Sequence, residues 1–309
     1  MIAVILTTLP IYLTIIAGYI AFRSGYLQAA HVPALSQFTL KVCLPALILF
    51  AIALPHGEVG LNLPFLLAYA GGSLLTLGLG YALLRVKLGL ERQQSWVLAL
   101  GMATSNSGFL GFPIASLVFG EQGAVVFAMT MVVENVLIIP LATILALLAG
   151  GSEKGLGALI RGATKPMLRN PLLISVVVAL AVRFTGLPLG QAGERAISAL
   201  AMAAAPVALF VIGGTVAGMS VSGHWPRAIS VAGVKLLLHP VLVAAALILI
   251  PGVPVELVPV GILFAALPMV TVFPILAAPF AQREVASTAL IVTTLASVVT
   301  VTLVLATLT

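Results

Sequence analysis

Ten apolar stretches, each about long enough to cross a bilayer, fill nearly all of this 309-residue chain and constrain its fold more than any motif does. Their limits, set by Gly, Pro and charge, are 2–22, 33–54, 63–84, 95–118, 123–148, 171–189, 195–219, 227–250, 257–280 and 285–307. Only 7% of the residues are charged, against 61% hydrophobic, which is too little charge to cover a water-soluble body. The solvent is therefore lipid, and almost nothing remains for a soluble domain. The expected fold is an all-α membrane protein of ten transmembrane helices, with residues 1–309 forming one transmembrane domain. The stretch 150–169 is the only connection with room for a surface helix.

The basic residues divide by side. With the N-terminus outside, the cytoplasmic loops hold Arg23, Arg85, Lys87, Arg92, Lys154, Arg161, Lys165, Arg169, Arg227 and Arg283, whereas the external side holds only Arg183 and Arg195. Ten against two is a positive-inside bias that supports an even number of spans with both termini outside, in the cytoplasmic (inner) membrane. The net charge of +6 then records topology, since no aromatic-basic cluster is present to read nucleic acid. The segment from Met1 to Phe22 lacks a basic n-region and reads as a retained first span rather than a signal peptide. A single cysteine, Cys43, excludes an internal disulfide and reads as a packed core thiol. No P-loop, His-Glu-x-x-His, Gly-x-Ser-x-Gly or paired-histidine pattern occurs, so neither a metal centre nor an enzyme is expected.

A shift of 161 residues pairs Pro10 with Pro171, Pro45 with Pro206, Pro113 with Pro274, and Gly25 with Gly186. That spacing points to two five-helix repeats, 1–149 and 170–309. Because five is odd, the second copy enters the membrane inverted, which favours alternating access. Under the same shift the fourth span, with Thr104-Ser105-Asn106-Ser107-Gly108-Phe109-Leu110-Gly111-Phe112-Pro113, faces the ninth, with Leu267-Pro268-Met269-Val270-Thr271-Val272-Phe273-Pro274. Glycines, prolines and polar residues there disfavour an unbroken helix. Freed backbone groups cannot face lipid, so the matched interruptions mark a binding site at the repeat interface. Half-helix N-termini favour an anionic group such as a carboxylate, while the carbonyl ends suit Na⁺ or another cation.

Few ionisable groups lie inside spans, where each is costly and usually functional. Glu134, followed by Asn135, lies midway along the fifth span and is expected to face the interior. It reads either as a protonatable coupling residue or as a structural acid paired with Lys41 or Lys235. Lys41, four residues before Pro45, could act as a counter-charge at depth. Lys235 and His239 share a face of the eighth span, although Lys235 lies near enough to the cytoplasmic end that snorkelling is the favoured reading. The hydroxyls of Thr288, Thr293, Thr294, Ser297, Thr300 and Thr302 point to close packing of the last span.

The runs Asn106–Pro113, Leu44-Pro45-Ala46-Leu47, Asn170-Pro171-Leu172-Leu173, Ala205-Pro206-Val207-Ala208-Leu209-Phe210 and Leu267-Pro268-Met269 resemble the auxin efflux carrier family nearly end to end. Within it, and within the wider bile acid, arsenite and riboflavin transporter superfamily, the chain looks most like bacterial permeases for malonate and related organic acids. The resemblance implies a scaffold part and a transport part, with broken fourth and ninth helices crossing at mid-membrane. It places substrate contacts among Asn106, Ser107, Gly108, Gly111, Pro113, Met269, Val270, Thr271 and Pro274. It implies a secondary transporter (permease) of a small organic anion, working by an elevator or rocking exchange, with no cofactor; H⁺ coupling, Na⁺ coupling and simple uniport all fit the sequence, and a homodimer is a compatible assembly. Alternatives are a Na⁺-coupled symporter of a larger amphipathic anion, a non-transporting membrane receptor, and an intramembrane enzyme needing a Ser/Lys or similar constellation. The chain departs from the plant carriers in lacking a long cytoplasmic loop and any charged residue between Tyr69 and Leu84.

Overall fold

The computed structural model describes residues 2–53, 61–152, 155–218 and 224–308, with side chains from Leu9 to Thr307 within these limits. Among the described residues every regular element is helical. In chain order the helices are α1 (Ile2–Arg23), α2 (His31–Ala53), α3 (Leu63–Lys87), α4 (Arg92–Met102), α5 (Phe112–Phe119), α6 (Glu121–Ala149), α7 (Leu156–Thr164), α8 (Pro171–Thr185), α9 (Gly190–Ala217), α10 (Trp225–Leu249), α11 (Leu257–Ala266), α12 (Phe273–Ala277) and α13 (Arg283–Leu308). Among the described residues, seven helical stretches are long and apolar enough to span a membrane. A bent pair, Leu156–Arg169 with Pro171–Thr185, meets at 64° and would make an eighth. Two of the expected spans are shorter as helices than the apolar runs that contain them. The run 171–189 stops at Thr185, where Gly186 turns left-handed at φ 63° ahead of Pro188, and the run 257–280 stops at Ala266. The connection 150–169 does hold a short amphipathic helix, α7, with Leu159 buried; Glu153 and Lys154 of that loop lie outside the described residues.

Four of the spans contain a π-helical turn whose last residue lies two before a proline: Thr39–Cys43 before Pro45, Ser107–Gly111 before Pro113, Val133–Ile138 before Pro140, and Val234–Leu238 before Pro240. The physical cause is the pyrrolidine ring, which has no N–H to donate and clashes with the carbonyl four residues back, so the preceding turn widens. Each widened turn inserts one residue and rotates the helix before it by about 100° relative to the helix after it. Both Glu134 and Lys235 sit in such turns.

The chain forms two compact units, each drawing on both halves of the sequence. The first comprises residues 1–61, 107–131 and 169–219; the second comprises 62–106, 132–168 and 220–309. In the first unit α1 packs along α9 by direct backbone approach, since a Cβ on Gly18 or on Gly213 would run into the facing backbone at Phe210 or at Ile15 and Tyr19. There α8 and α9 also pack against the Leu44–Ala53 half of α2, which buries Cys43 and Leu44. In the second unit α3 packs on the His239–Leu249 half of α10 and on α4, while α11 and α12 lie against α13.

Polarity in the second unit is inside-out relative to a soluble protein. The outer face of α3 exposes Leu67, Leu75 and Leu79, whereas its inner face buries Tyr69, Ser73 and Thr76. In α13 the exposed Leu295, Val299 and Leu303 back onto buried Thr288, Thr293 and Ser297. Thr76, Thr293 and Ser297 bond back to their own helices, Thr293 to the Ala289 carbonyl at 2.8 Å, which lets neighbouring helices come close. At the entrance to α3 the Asn62 side chain caps the helix by accepting from the Phe65 amide at 2.8 Å, and it reaches the Gly252 carbonyl at 3.4 Å. Asn62→Ala is expected to lower stability by about 0.5–2 kcal/mol, read as a small drop in the detergent melting temperature.

Candidate functional site

The two expected interruptions are present. The helix α4 ends at Met102, residues 103–106 are non-helical, and a π turn at Ser107–Gly111 leads into α5 with Pro113 in its first turn. The second interruption runs from Leu267, which is extended (φ −66°, ψ 160°), through residue 272 to α12, with Pro274 in its first turn. The residues from Val97 to Ala115 are all buried, as freed backbone in a membrane protein must be. Within the second unit the interruptions meet directly, for the Asn106 amide donates to the Pro268 carbonyl at 2.8 Å.

Around this meeting point the second unit buries a polar cluster drawn from five segments. The Lys235 Nζ, fully buried, lies 2.7 Å from Ser105 Oγ, 2.7 Å from His239 Nδ1 and 3.0 Å from the Ala265 carbonyl. Its three partners match in number the three donors of an ammonium. An ammonium at Lys235 would donate to Nδ1 and so go with the Nε2–H tautomer of His239, whose Nε2 lies 3.0 Å from Ser73 Oγ. The Ser105 amide donates to Glu134 Oε1 at 2.9 Å, so one serine links the buried carboxylate and the buried ammonium. The Tyr69 hydroxyl lies 3.4 Å from Glu134 Oε1 and 3.5 Å from Ser105 Oγ, long contacts that wall the cluster more than they bind it. The Ala265 carbonyl belongs to the last turn of α11, where carbonyls lack helical partners and the helix dipole favours a cation.

Set against the sequence expectations, Glu134 and His239 are buried and join this cluster. Lys235 does not snorkel: the π turn that carries it turns its side chain inward onto the broken helix ends. Lys41 is the reverse case. Its side chain is exposed and bonds Gln37 Oε1 one turn back at 3.1 Å, so it is no buried counter-charge. Asn135 is half-buried rather than directed fully inward. Of the substrate candidates, Asn106 and Met269 are buried in the second unit with Val270, Thr271 and Pro274 half-buried beside them in sequence. Ser107, Gly108, Gly111 and Pro113 are buried in the first unit, where Phe112 packs its ring on Phe127. Sequence reasoning passed over Tyr69, Ser73 and Ser105 as site members. Pro140 and Pro240, each shortly after an ionisable residue in a span, were the signal that could have shown where Glu134 and Lys235 point.

The sequence profile of the Mem_trans family, described as "Membrane transport protein", matches residues 3–305. The chain belongs to this family. The Mem_trans match covers both units and both interruptions. A Rhizobium meliloti relative named "Putative malonate transporter" is 30% identical over 300 residues, covering 95% of this chain and 92% of its own length. A Methanothermobacter thermautotrophicus relative named "Uncharacterized transporter" is 25% identical, covering 77% of this chain and 76% of its own. As a Mem_trans protein with several apolar helices of spanning length, the chain is a multi-span member of an auxin efflux carrier-like transporter family.

Proposed function

We propose that this protein is a secondary transporter that moves a small organic anion, a mono- or dicarboxylate of the malonate class, across the cytoplasmic membrane by alternating access. The observation that carries the reading is the backbone bond between the two interruptions, Asn106 to Pro268, formed beside a buried ammonium in a chain of a transporter family. Broken helices placed back to back near the middle of a membrane protein serve to present backbone dipoles to a solute. The substrate contacts in this reading are Asn106, Ser107, Gly108, Gly111 and Pro113 from one break and Met269, Val270, Thr271 and Pro274 from the other. The name of the Rhizobium meliloti relative supports a carboxylate.

The fold in this reading has ten spans in two inverted five-helix repeats, with α1, the shorter α8 and the interrupted 257–280 stretch each counted as a crossing. Three observations support the repeat. Under the 161-residue shift the restarting helices α5 and α12 begin at equivalent positions, Phe112 and Phe273, each followed by proline. Positive φ values recur at equivalent positions, Gly25 with Gly186 and Gly120 with Ala281. Each compact unit draws its segments from both halves of the chain.

A Ser/Lys contact such as Ser105–Lys235 is also the requirement set for an intramembrane hydrolase. The geometry favours a structural use of that contact, since Lys235 Nζ donates to Ser105 Oγ and is also held by His239 Nδ1 and the Ala265 carbonyl. Uptake of labelled malonate and other carboxylates into proteoliposomes tests the proposal. Flux of the unchanged anion is expected, and Asn106→Ala is expected to reduce it about tenfold or more while the protein still folds. Binding without flux, or recovery of a cleaved product, would reject transport, and full activity in Asn106→Ala would reject the site.

A further inference from the structure

Broken helices leave carbonyls that must be met inside the protein, and in transporters built on such breaks a free cation commonly meets them. Here the chain's own donors meet those at the end of α11. The Ala265 carbonyl accepts from Lys235 Nζ at 3.0 Å, the Ala266 carbonyl accepts from Thr300 Oγ1 at 3.2 Å, and the Pro268 carbonyl accepts from the Asn106 amide at 2.8 Å. Across the meeting point, Ser105 Oγ accepts from the same ammonium at 2.7 Å and its amide is tied to Glu134. A carbonyl, a hydroxyl and a nearby carboxylate form the donor set a monovalent cation would use. The Lys235 ammonium already stands on it, with His239 Nδ1 as its third acceptor at 2.7 Å.

We propose that Lys235 is a tethered replacement for a coupling cation, so that transport by this protein requires no Na⁺. The proposal rests on the transporter reading above but is tested separately from it. A free Na⁺ would have to displace a side chain anchored by its own helix, at the same oxygens and against the same charge. Removing the amine while keeping the helix ends recreates a vacant cation position of matching chemistry, lined by Ala265 O, Ser105 Oγ and His239 Nδ1.

The experiment compares wild type and Lys235→Ala in matched sodium, ammonium and choline chloride. In detergent, the wild-type melting temperature is expected to be the same in all three salts. That of Lys235→Ala is expected to fall and then to rise by about 2–4 °C in sodium or ammonium over choline, as a refilled site would give. In proteoliposomes, wild-type carboxylate flux is expected to be the same, within about twofold, with or without a Na⁺ gradient. Sodium-specific stabilisation of wild type, or flux that collapses in choline, would overturn the proposal. So would a folded Lys235→Ala that responds to neither cation. Should that variant not fold, the wild-type salt comparison still decides. Wild type that moves no carboxylate under any gradient would sink the transporter reading, while the salt dependence of melting would still judge Lys235.

Discussion

Glu134→Ala is expected to abolish carboxylate flux and to lower stability by about 1–3 kcal/mol, because the buried Ser105 amide loses its acceptor. The carboxylate accepts from the Ser105 amide at 2.9 Å, and Ser105 in turn receives the fully buried Lys235 ammonium. The substitution therefore strips a partner from a non-helical amide at the break and removes the negative charge opposite the ammonium. Glu134→Gln separates the two effects. It keeps an oxygen for the Ser105 amide but no charge, so its melting temperature is expected between those of wild type and Glu134→Ala, with flux still strongly reduced. Melting followed by tryptophan fluorescence in detergent and uptake into proteoliposomes are the two readouts. A Glu134→Ala protein that melts with wild type and transports normally would show that the pairing carries neither stability nor function.

Gly213→Leu is expected to disrupt folding of the first unit, with a cost beyond the usual 1–3 kcal/mol of an overpacked core, roughly that of separating two helices. A Cβ at Gly213 would land on the Ile15 carbonyl oxygen and within 2.5 Å of the Tyr19 amide, and backbone cannot step aside as a side chain can. The control is Gly78→Leu on the exposed face of α3, where a Cβ meets nothing within 4 Å. Expression as a monodisperse detergent-purified protein separates them: Gly78→Leu should behave as wild type and Gly213→Leu should aggregate. Equal yields and elution profiles would show that α1 and α9 do not depend on this close approach.

Much of the architecture was legible because lipid imposes simple demands. Long apolar runs, the clustering of Gly and Pro in 104–113 and 267–274, and the room for a helix in 150–169 each reflect backbone chemistry that a single sequence displays. The direction in which charged side chains point was not so simple. Lys41 reads as a counter-charge at depth and Lys235 as a snorkelling lysine, yet Lys41 is exposed on Gln37 and Lys235 is fully buried against Ala265. Both lie in π turns ahead of a proline, so the added rotation has to be known before either can be placed. Tyr69 and Ser73 were illegible for a different reason. A tyrosine and a serine one turn apart are ordinary packing residues in a membrane helix, and only their contacts with Glu134 and His239 distinguish them.

The bond from the Asn106 amide to the Pro268 carbonyl joins two peptide groups and no side chains. No replacement at position 268 can delete it, and at position 106 only an imino acid or an amide-to-ester exchange would. The junction is thus insulated from the identities of the residues that surround it. Side chains on either side are free to be rewritten for cargoes of another size or polarity while the joint that holds the two breaks together stays as it is, which suits a scaffold from which many solute specificities can be drawn.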